Sequence, residues 1–318
     1  MARRTKGNAR SEAGIVGQIG LGIMGGAFAK HLLAAGFQVI GYDIAPAAQK
    51  RLVAAGGEAA GSCAEVAERA RIIITSLPSP AAMEEAFFGK SGLAASARRG
   101  TVVIEASTMT LELKQRIERR LARRGVEVLD CPISGTGAQA AAKDIAAYAS
   151  GSRSAYNRCR PVFEGFARSN YYCGAFGTGS KLKFVANLLV TIHNLSTAEA
   201  MVVGEKAGID LDLLYRVIAD GAGTSRMFEV RGPMMVRRHY LPPHMKAEIY
   251  QKDIDIIRDF VRRMKCPTPL FDSSIPLYTA ALRQGMGQED TSAIHAVLRQ
   301  RANPARARRT RAGLKSRK

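Results

Sequence analysis

The feature that most constrains this chain is a short apolar run, Ile15–Gly20. It ends in Gly20-Leu21-Gly22-Ile23-Met24-Gly25 and passes directly into a helical pattern, Ile23–Ala35. A strand, a glycine turn and a helix in that order use each glycine differently. Gly20 permits the tight turn, Gly22 lets a phosphate approach the backbone, and Gly25 lets the helix lie close on the strand. The helix start, with Ile23 and Met24, then offers free N–H groups and a positive dipole end to an anion. A second strand, Phe37–Asp43, ends in an acid about 20 residues downstream, where a carboxylate accepts bonds from the adenosine ribose hydroxyls of a dinucleotide. The same carboxylate repels a 2′-phosphate. Ile44 follows Asp43 and no arginine adjoins it, so NAD is expected rather than NADP. FAD and nucleotide-sugar enzymes share such a turn, so it points to a dinucleotide and leaves the reaction open.

The strand–helix alternation continues. Ala45–Ala55 reads as a helix with Pro46 in its first turn, where proline is tolerated. Arg71–Leu77 reads as a third strand, stopped by Pro78 and Pro80, and Thr101–Glu105 as a fourth. Leu111–Arg124 is a charged amphipathic helix and Val126–Asp130 a fifth strand. Ile145–Ala149 and Tyr171–Cys173 read as further strands around a helix near Ala155–Ala167. This order implies a doubly wound parallel sheet with helices on both faces. After Gly179 only helical patterns remain. Lys181–Ala207 is one long run closed by Gly208, and Leu211–Ala219, Ser225–Val236, Ile249–Lys265, Ile275–Gln284 and Thr291–Arg301 follow. The expected organisation is a basic arm over 1–12, an α/β domain over 13–177, an all-α domain over 178–302 and a second basic arm over 303–318.

The net charge of +20 suggests a polyanionic partner, but its location weakens that idea. Residues 1–10 carry Arg3, Arg4, Lys6 and Arg10 without an acid, and residues 299–318 carry nine further basic groups, leaving +7 for the rest. The arms lack apolar periodicity and are expected to be solvated, disordered ends. Weak, salt-dependent binding of nucleic acid through them is the lesser reading. Five cysteines (Cys63, Cys131, Cys159, Cys173 and Cys266) are odd in number and show no CxxC spacing. Neither disulfides nor zinc is expected, which suits a reduced cytoplasm. The five histidines show no metal spacing. The apolar run at Gly14–Ala35 is broken by glycines, Lys30 and His31, unlike a leader peptide, and no stretch is long enough to span a bilayer.

Six motifs in fixed order carry a family resemblance. They are Gly20–Gly25; Leu77-Pro78; Ser107-Thr108; Asp130-Cys131-Pro132-Ile133-Ser134-Gly135; Gly177-Thr178-Gly179-Ser180-Lys181-Leu182-Lys183 with Asn187; and Lys252-Asp253. Over about residues 13–300 the chain resembles the β-hydroxyacid dehydrogenases. That group includes 3-hydroxyisobutyrate dehydrogenase, tartronate semialdehyde reductase and, more distantly, 6-phosphogluconate dehydrogenase. The resemblance implies a Rossmann-like domain joined by a long interdomain helix to a helical domain, with the active site in the cleft, and a homodimer or homotetramer. It implies that Leu77 and Pro78 line the adenosine side of the cofactor, that Ser107 or Thr108 approaches the nicotinamide ribose, and that Lys252 closes over the cofactor. It makes Lys183 the general acid/base and Asn187 its partner in orienting the substrate oxygen. Ser134, Gly135 and Thr136 would bind the substrate carboxylate through backbone N–H groups and the serine hydroxyl.

The spacing agrees with this assignment: Lys183 and Asn187, four apart on a helix, share a face, and Lys181 falls off it. The implied reaction moves a hydride between NAD and a small, carboxylate-bearing β-hydroxy acid or its semialdehyde. Thr136, Gln139 and Lys143 stand where the family carries glycines, Ala186 replaces an asparagine, and Met245 stands at a commonly aromatic position. These departures leave the substrate side chain open. Two alternatives keep the same fold: an imine reductase, and a non-catalytic nucleic-acid-associated protein. Imine reductases usually replace the lysine, and retention of Lys183 with Asn187 speaks against both.

Overall fold

β1 (Val16–Ile19) is buried along its whole length, as a parallel strand must be when helices cover both faces of its sheet. The computed structural model describes residues 14–303, so the arm expected over 1–12, and all of the arm expected over 303–318 except Asn303, lie outside the described residues. The described chain divides into two compact units at Lys183 and Phe184.

In the first unit β1 leads to α1 (Ile23–Ala34), β2 (Val39–Tyr42), α2 (Pro46–Ala54), β3 (Glu58–Ala59), α3 (Cys63–Arg69) and β4 (Ile72–Thr75). Next come α4 (Pro80–Phe88), α5 (Leu93–Ser96), β5 (Val102–Glu105), α6 (Leu111–Ala122) and β6 (Glu127–Asp130). The six strands pair in parallel in the order β3-β2-β1-β4-β5-β6. Side-chain alternation along each strand divides the apolar residues between two layers. Ile74, Val102 and Ile104 join Phe28, Leu32, Phe163 and Phe166 on one face. Ile73 and Val103 join Val66, Phe87, Ile117 and Leu121 on the other. Each such side chain contributes about 1.5–3 kcal/mol by leaving water.

A second, three-stranded sheet follows. It is built from β7 (Ile133–Ser134), α7 (Gly137–Ala141), β8 (Ala146–Ala149), α8 (Arg153–Phe166) and β9 (Ser169–Tyr172), in the order β7-β8-β9. β7 and β8 are antiparallel, β8 and β9 parallel, and an Asp130–Ser150 bridge ties this sheet to the end of β6. The strands expected at Ile145–Ala149 and Tyr171–Cys173 therefore form a sheet of their own.

α9 (Thr178–Lys206) is a single 29-residue helix and carries the division between the units. The second unit continues with α10 (Leu211–Ala219), α11 (Arg226–Arg237), α12 (Ala247–Arg263), α13 (Pro269–Arg283), a short 3₁₀ turn at Thr291–Ala293 and α14 (Ile294–Ala302). α13 begins six residues before the expected Ile275, because Pro269 opens the helix instead of breaking it. Phe228 stacks on Tyr215 with ring centroids 5.6 Å apart, and Asn194 Nδ2 donates to Tyr278 Oη at 2.9 Å. Two residues counted with the basic C-terminal segment are integrated here. Arg299 makes a two-bond pair with Glu205 at 2.6 Å, and Asn303 Oδ1 accepts from Lys206 Nζ at 2.6 Å.

Candidate active site

The carboxyl ends of β1, β2, β4, β5 and β6 lie along one edge of the main sheet, and the expected cofactor residues of the first unit follow them directly. Gly20 has φ +84°, and a Cβ there would lie 2.2 Å from the Ser76 carbonyl oxygen. A Cβ on Gly25 would lie 1.9 Å from the Gly20 oxygen, so any side chain would push α1 off the strand. Gly22 differs: nothing lies within 4 Å of where its Cβ would stand. It opens α1 with no capping side chain and no acid in the first turn, and Ile23 is exposed. An open, uncapped, acid-free helix start is the cradle that a dinucleotide pyrophosphate fits.

Asp43 is engaged more fully than its expected ribose role requires. Its Oδ2 accepts from Leu21 N at 2.6 Å and its Oδ1 from Ala45 N at 2.8 Å. It thus fastens the glycine loop to the end of β2, while each oxygen keeps a further lone pair. Leu77 and Ser107 also meet: Leu77 N donates to Ser107 Oγ at 2.9 Å, and Ser107 N donates to Glu105 Oε1 at 2.9 Å. Pro78 and Thr108 flank this join on the same edge.

Ser134, Gly135 and Thr136 run from β7 into α7, where two departures from the family pattern prove to be one device. Thr136 Oγ1 accepts from Gln139 N at 3.3 Å and Gln139 Oε1 accepts from Thr136 N at 3.0 Å, a reciprocal cap on α7. The Thr136 N–H is therefore occupied, and the expected carboxylate nest retains the Gly135 N–H and the Ser134 hydroxyl. Gln139 Nε2 reaches on to Asp144 at 3.2 Å.

The third departure has a backbone reason. Lys143 has φ +61°, its N–H reaches Ala140 O at 3.1 Å, and Asp144 N reaches Gln139 O at 2.7 Å. This left-handed closure of a helix is the position that favours glycine. Lys143→Gly is expected to raise unfolding stability by about 0.5–1 kcal/mol, seen as a higher urea midpoint at unchanged slope.

Lys183 and Asn187 lie one turn apart on α9 and both are buried, whereas Lys181 is exposed. In the second unit Asn187 Nδ2 donates to Asp253 Oδ2 at 3.0 Å, which fixes the amide orientation, with the side-chain oxygen as its acceptor end. Lys252 Nζ lies 3.5 Å from Asp253 Oδ1. The Asn187 main-chain carbonyl accepts from Thr191 Oγ1 at 2.8 Å and Tyr250 Oη at 2.9 Å. Burial pushes the Tyr250 hydroxyl well above its ordinary range, so it stays protonated. Motif reading included Asp253 without a role; its bond to Asn187 supplies one. Among the described residues no group of three or more His, Cys, Asp or Glu is placed to hold a metal, and no helix is long and apolar enough to cross a membrane.

Comparison with known proteins agrees with this architecture. Residues 15–174 match the family model described as the NAD binding domain of 6-phosphogluconate dehydrogenase. Residues 177–298 match that described as the NAD-binding of NADP-dependent 3-hydroxyisobutyrate dehydrogenase. An L-threonate dehydrogenase of Cupriavidus necator is 37% identical over 280 residues, covering 88% of this chain and 94% of that protein. An NAD-dependent L-serine dehydrogenase of Pseudomonas aeruginosa is 31% identical over 283 residues, covering 87% and 95%. The crystal structure of a 3-hydroxyisobutyrate dehydrogenase from Salmonella typhimurium superposes with a TM-score of 0.82 at 33% identity, covering 89% of this chain and 99% of that one. With both halves matched by family models and the sheet edge built for a dinucleotide, the chain belongs to the β-hydroxyacid dehydrogenase family of NAD(P)-dependent oxidoreductases.

Proposed function

We propose that the protein interconverts a small, carboxylate-bearing β-hydroxy acid and its semialdehyde, using NAD, with Lys183 as general acid/base. The observation that carries this reading is the pairing on α9: a buried Lys183 one turn before an Asn187 whose amide is aimed by Asp253. The relatives named for L-threonate and L-serine, both small hydroxy acids, support the substrate class.

Gly20, Gly22, Ile23, Met24 and Gly25 would hold the pyrophosphate at the open start of α1, and Asp43 the adenosine ribose. Leu77, Pro78, Ser107, Thr108 and Lys252 would complete the cofactor contacts. When bound, the nicotinamide supplies the hydride acceptor or donor. In the oxidative direction the Lys183 amine takes the proton from the substrate hydroxyl as the carbonyl forms; in reduction the Lys183 ammonium returns it to the same oxygen. Asn187 orients that oxygen. The Ser134 hydroxyl and the Gly135 N–H hold the carboxylate, with the Thr136 side chain, its own N–H taken by Gln139, narrowing the pocket. A carboxylate at Asp43 disfavours a 2′-phosphate, which supports NAD over NADP. The homodimer or homotetramer implied by the family finds support in the apolar, exposed Leu182, Val185, Leu189 and Val203 of α9.

The test is a set of initial rates followed by nicotinamide absorbance. NADH and NADPH are offered with short semialdehydes, and NAD with L-threonate, L-serine and 3-hydroxyisobutyrate. Turnover is expected on at least one carboxylate-bearing compound, with kcat/KM at least about tenfold higher for the non-phosphorylated cofactor, a difference of about 1.4 kcal/mol. Tight NADH binding with no turnover across the panel would overturn the proposal.

A further inference from the structure

A buried charge network lies behind the proton-transfer helix, and the reaction as described makes no use of it. Lys114, on α6, is 1% exposed; its Nζ lies 2.7 Å from Glu105 Oε2 and donates to Asp130 Oδ1 at 2.7 Å. Both carboxylates are as buried as the lysine. Burial works against the Lys114 ammonium, but the two carboxylates outweigh it and hold the group charged, with its pKa raised.

Each carboxylate has a second task. Glu105 accepts from Ser107 N, and Ser107 in turn accepts from Leu77 N, so this acid holds the cofactor-side loops after β4 and β5. Asp130 holds the start of α9. Its Oδ2 accepts from Ser180 N at 2.8 Å and its Oδ1 from Ser180 Oγ at 2.7 Å. Ser150 Oγ lies 3.1 Å from Asp130 Oδ2 and accepts from Gly179 N at 3.0 Å. A Cβ on Gly179 would lie 2.2 Å from the Tyr148 oxygen and 2.8 Å from the Asp130 oxygen, so glycine lets the helix start press directly on the strand ends. A carboxylate facing the first N–H groups of a helix is both a cap and a favourable partner for its dipole.

We infer that Asp130, backed by Lys114 and Glu105, is a positioning residue that sets where Lys183 stands relative to the cofactor edge of the sheet. Lys183 follows Ser180 by three residues, less than one turn, so its backbone placement is inherited from the Asp130–Ser180 bonds. Lys114 then ties that anchor to the loops beside the cofactor. Paired charged hydrogen bonds suit the task because they fix direction as well as distance, which apolar packing does not. This inference rests on the acid/base role of Lys183 proposed above.

The experiment compares Asp130→Asn and the gentler Ser180→Ala with wild type and Lys183→Ala. Asparagine keeps the volume but puts an NH₂ where either Ser180 N–H or Lys114 now donates, so one anchor bond must be lost. Active sites are counted by NADH fluorescence titration, so that kcat refers to folded protein only. Expected for Asp130→Asn is a fall in kcat of about 10–100-fold, the scale of an ångström-sized misplacement, with KM for NADH within about twofold of wild type. Hydrogen–deuterium exchange over residues 176–188 is expected to accelerate in both variants while the peptides of β1 and α1 keep their protection. Unchanged protection of that segment, or kcat within about twofold of wild type in Asp130→Asn, would overturn the inference. Full activity in Lys183→Ala would instead remove the acid/base reading on which it rests, and the exchange measurement would still decide whether Asp130 anchors the helix.

Discussion

Lys183→Ala is expected to lower kcat by about 10²–10⁴-fold, with NADH binding unchanged, because it deletes the only proton carrier proposed for the substrate oxygen. The helix itself should tolerate the change: alanine is the best helix former, and α9 extends far to either side of the site. Lys181→Ala is the matched control. It removes the same charge from the same turn, but Lys181 is exposed where Lys183 is buried, so its kcat should stay within about twofold of wild type. Asn187→Ala should cost less than Lys183→Ala, since it removes the group proposed to orient the oxygen and leaves the proposed proton carrier in place. Equal losses in the two lysine variants would show that charge near the site, and not proton transfer at one atom, is what matters. Retention of activity in Lys183→Ala would move the acid/base role elsewhere.

The parts of this fold that could be read in advance are those whose causes are local. β1, the glycine loop and α1 follow from an apolar run, three glycines and a helical period, and the structure begins and ends them within a residue or two. α3 and α4 escaped because their signals point two ways. Both are short; Ser62 and Ser79 cap them, yet Ser79-Pro80 reads as a turn until Pro80 is placed at the first helical position. The three-stranded sheet escaped because β7 has two residues and its partner lies beyond an intervening helix.

The candidate site divides in the same way. Gly20, Asp43, Lys183 and Asn187 occupy spacings that a motif can specify. The bonds that hold them do not. Lys114 sits in a charged helix segment, LELKQRIERR, where a lysine is ordinarily solvated, and only the fold brings Glu105 and Asp130 to it from two neighbouring strands. The Thr136–Gln139 cap has the spacing of a capping box, but a threonine and a glutamine three apart form one only where the backbone turns into a helix, and here that helix is a single short turn after β7.

Asp290→Ala is expected to destabilise the protein by about 3–5 kcal/mol, the usual result of leaving one member of a buried ion pair alone. Asp290 and Arg231 are 0% and 2% exposed. Asp290 Oδ1 accepts from Arg231 Nε at 3.1 Å and Ser292 N at 2.9 Å; Oδ2 accepts from His244 N and Met245 N, each at 2.9 Å. The truncation therefore strands a guanidinium and three backbone donors together, and joins the loop after α11 to the 3₁₀ turn no longer. The double variant Arg231→Met with Asp290→Ala should recover at least about 1 kcal/mol of the loss, because it removes the stranded charge though not the stranded N–H groups. Acid should act through the same carboxyl. Burial pushes the Asp290 pKa up, but the Arg231 charge and the donated bonds outweigh it and hold the carboxyl below its ordinary range. A folded pKa below the unfolded one means that the stabilisation is present above about pH 4 and is lost as pH falls through the folded value. Urea midpoints measured from pH 7 downward should thus fall more steeply below about pH 4 in wild type than in the double variant. Parallel curves for the two proteins would place the acid-sensitive contact somewhere other than Asp290.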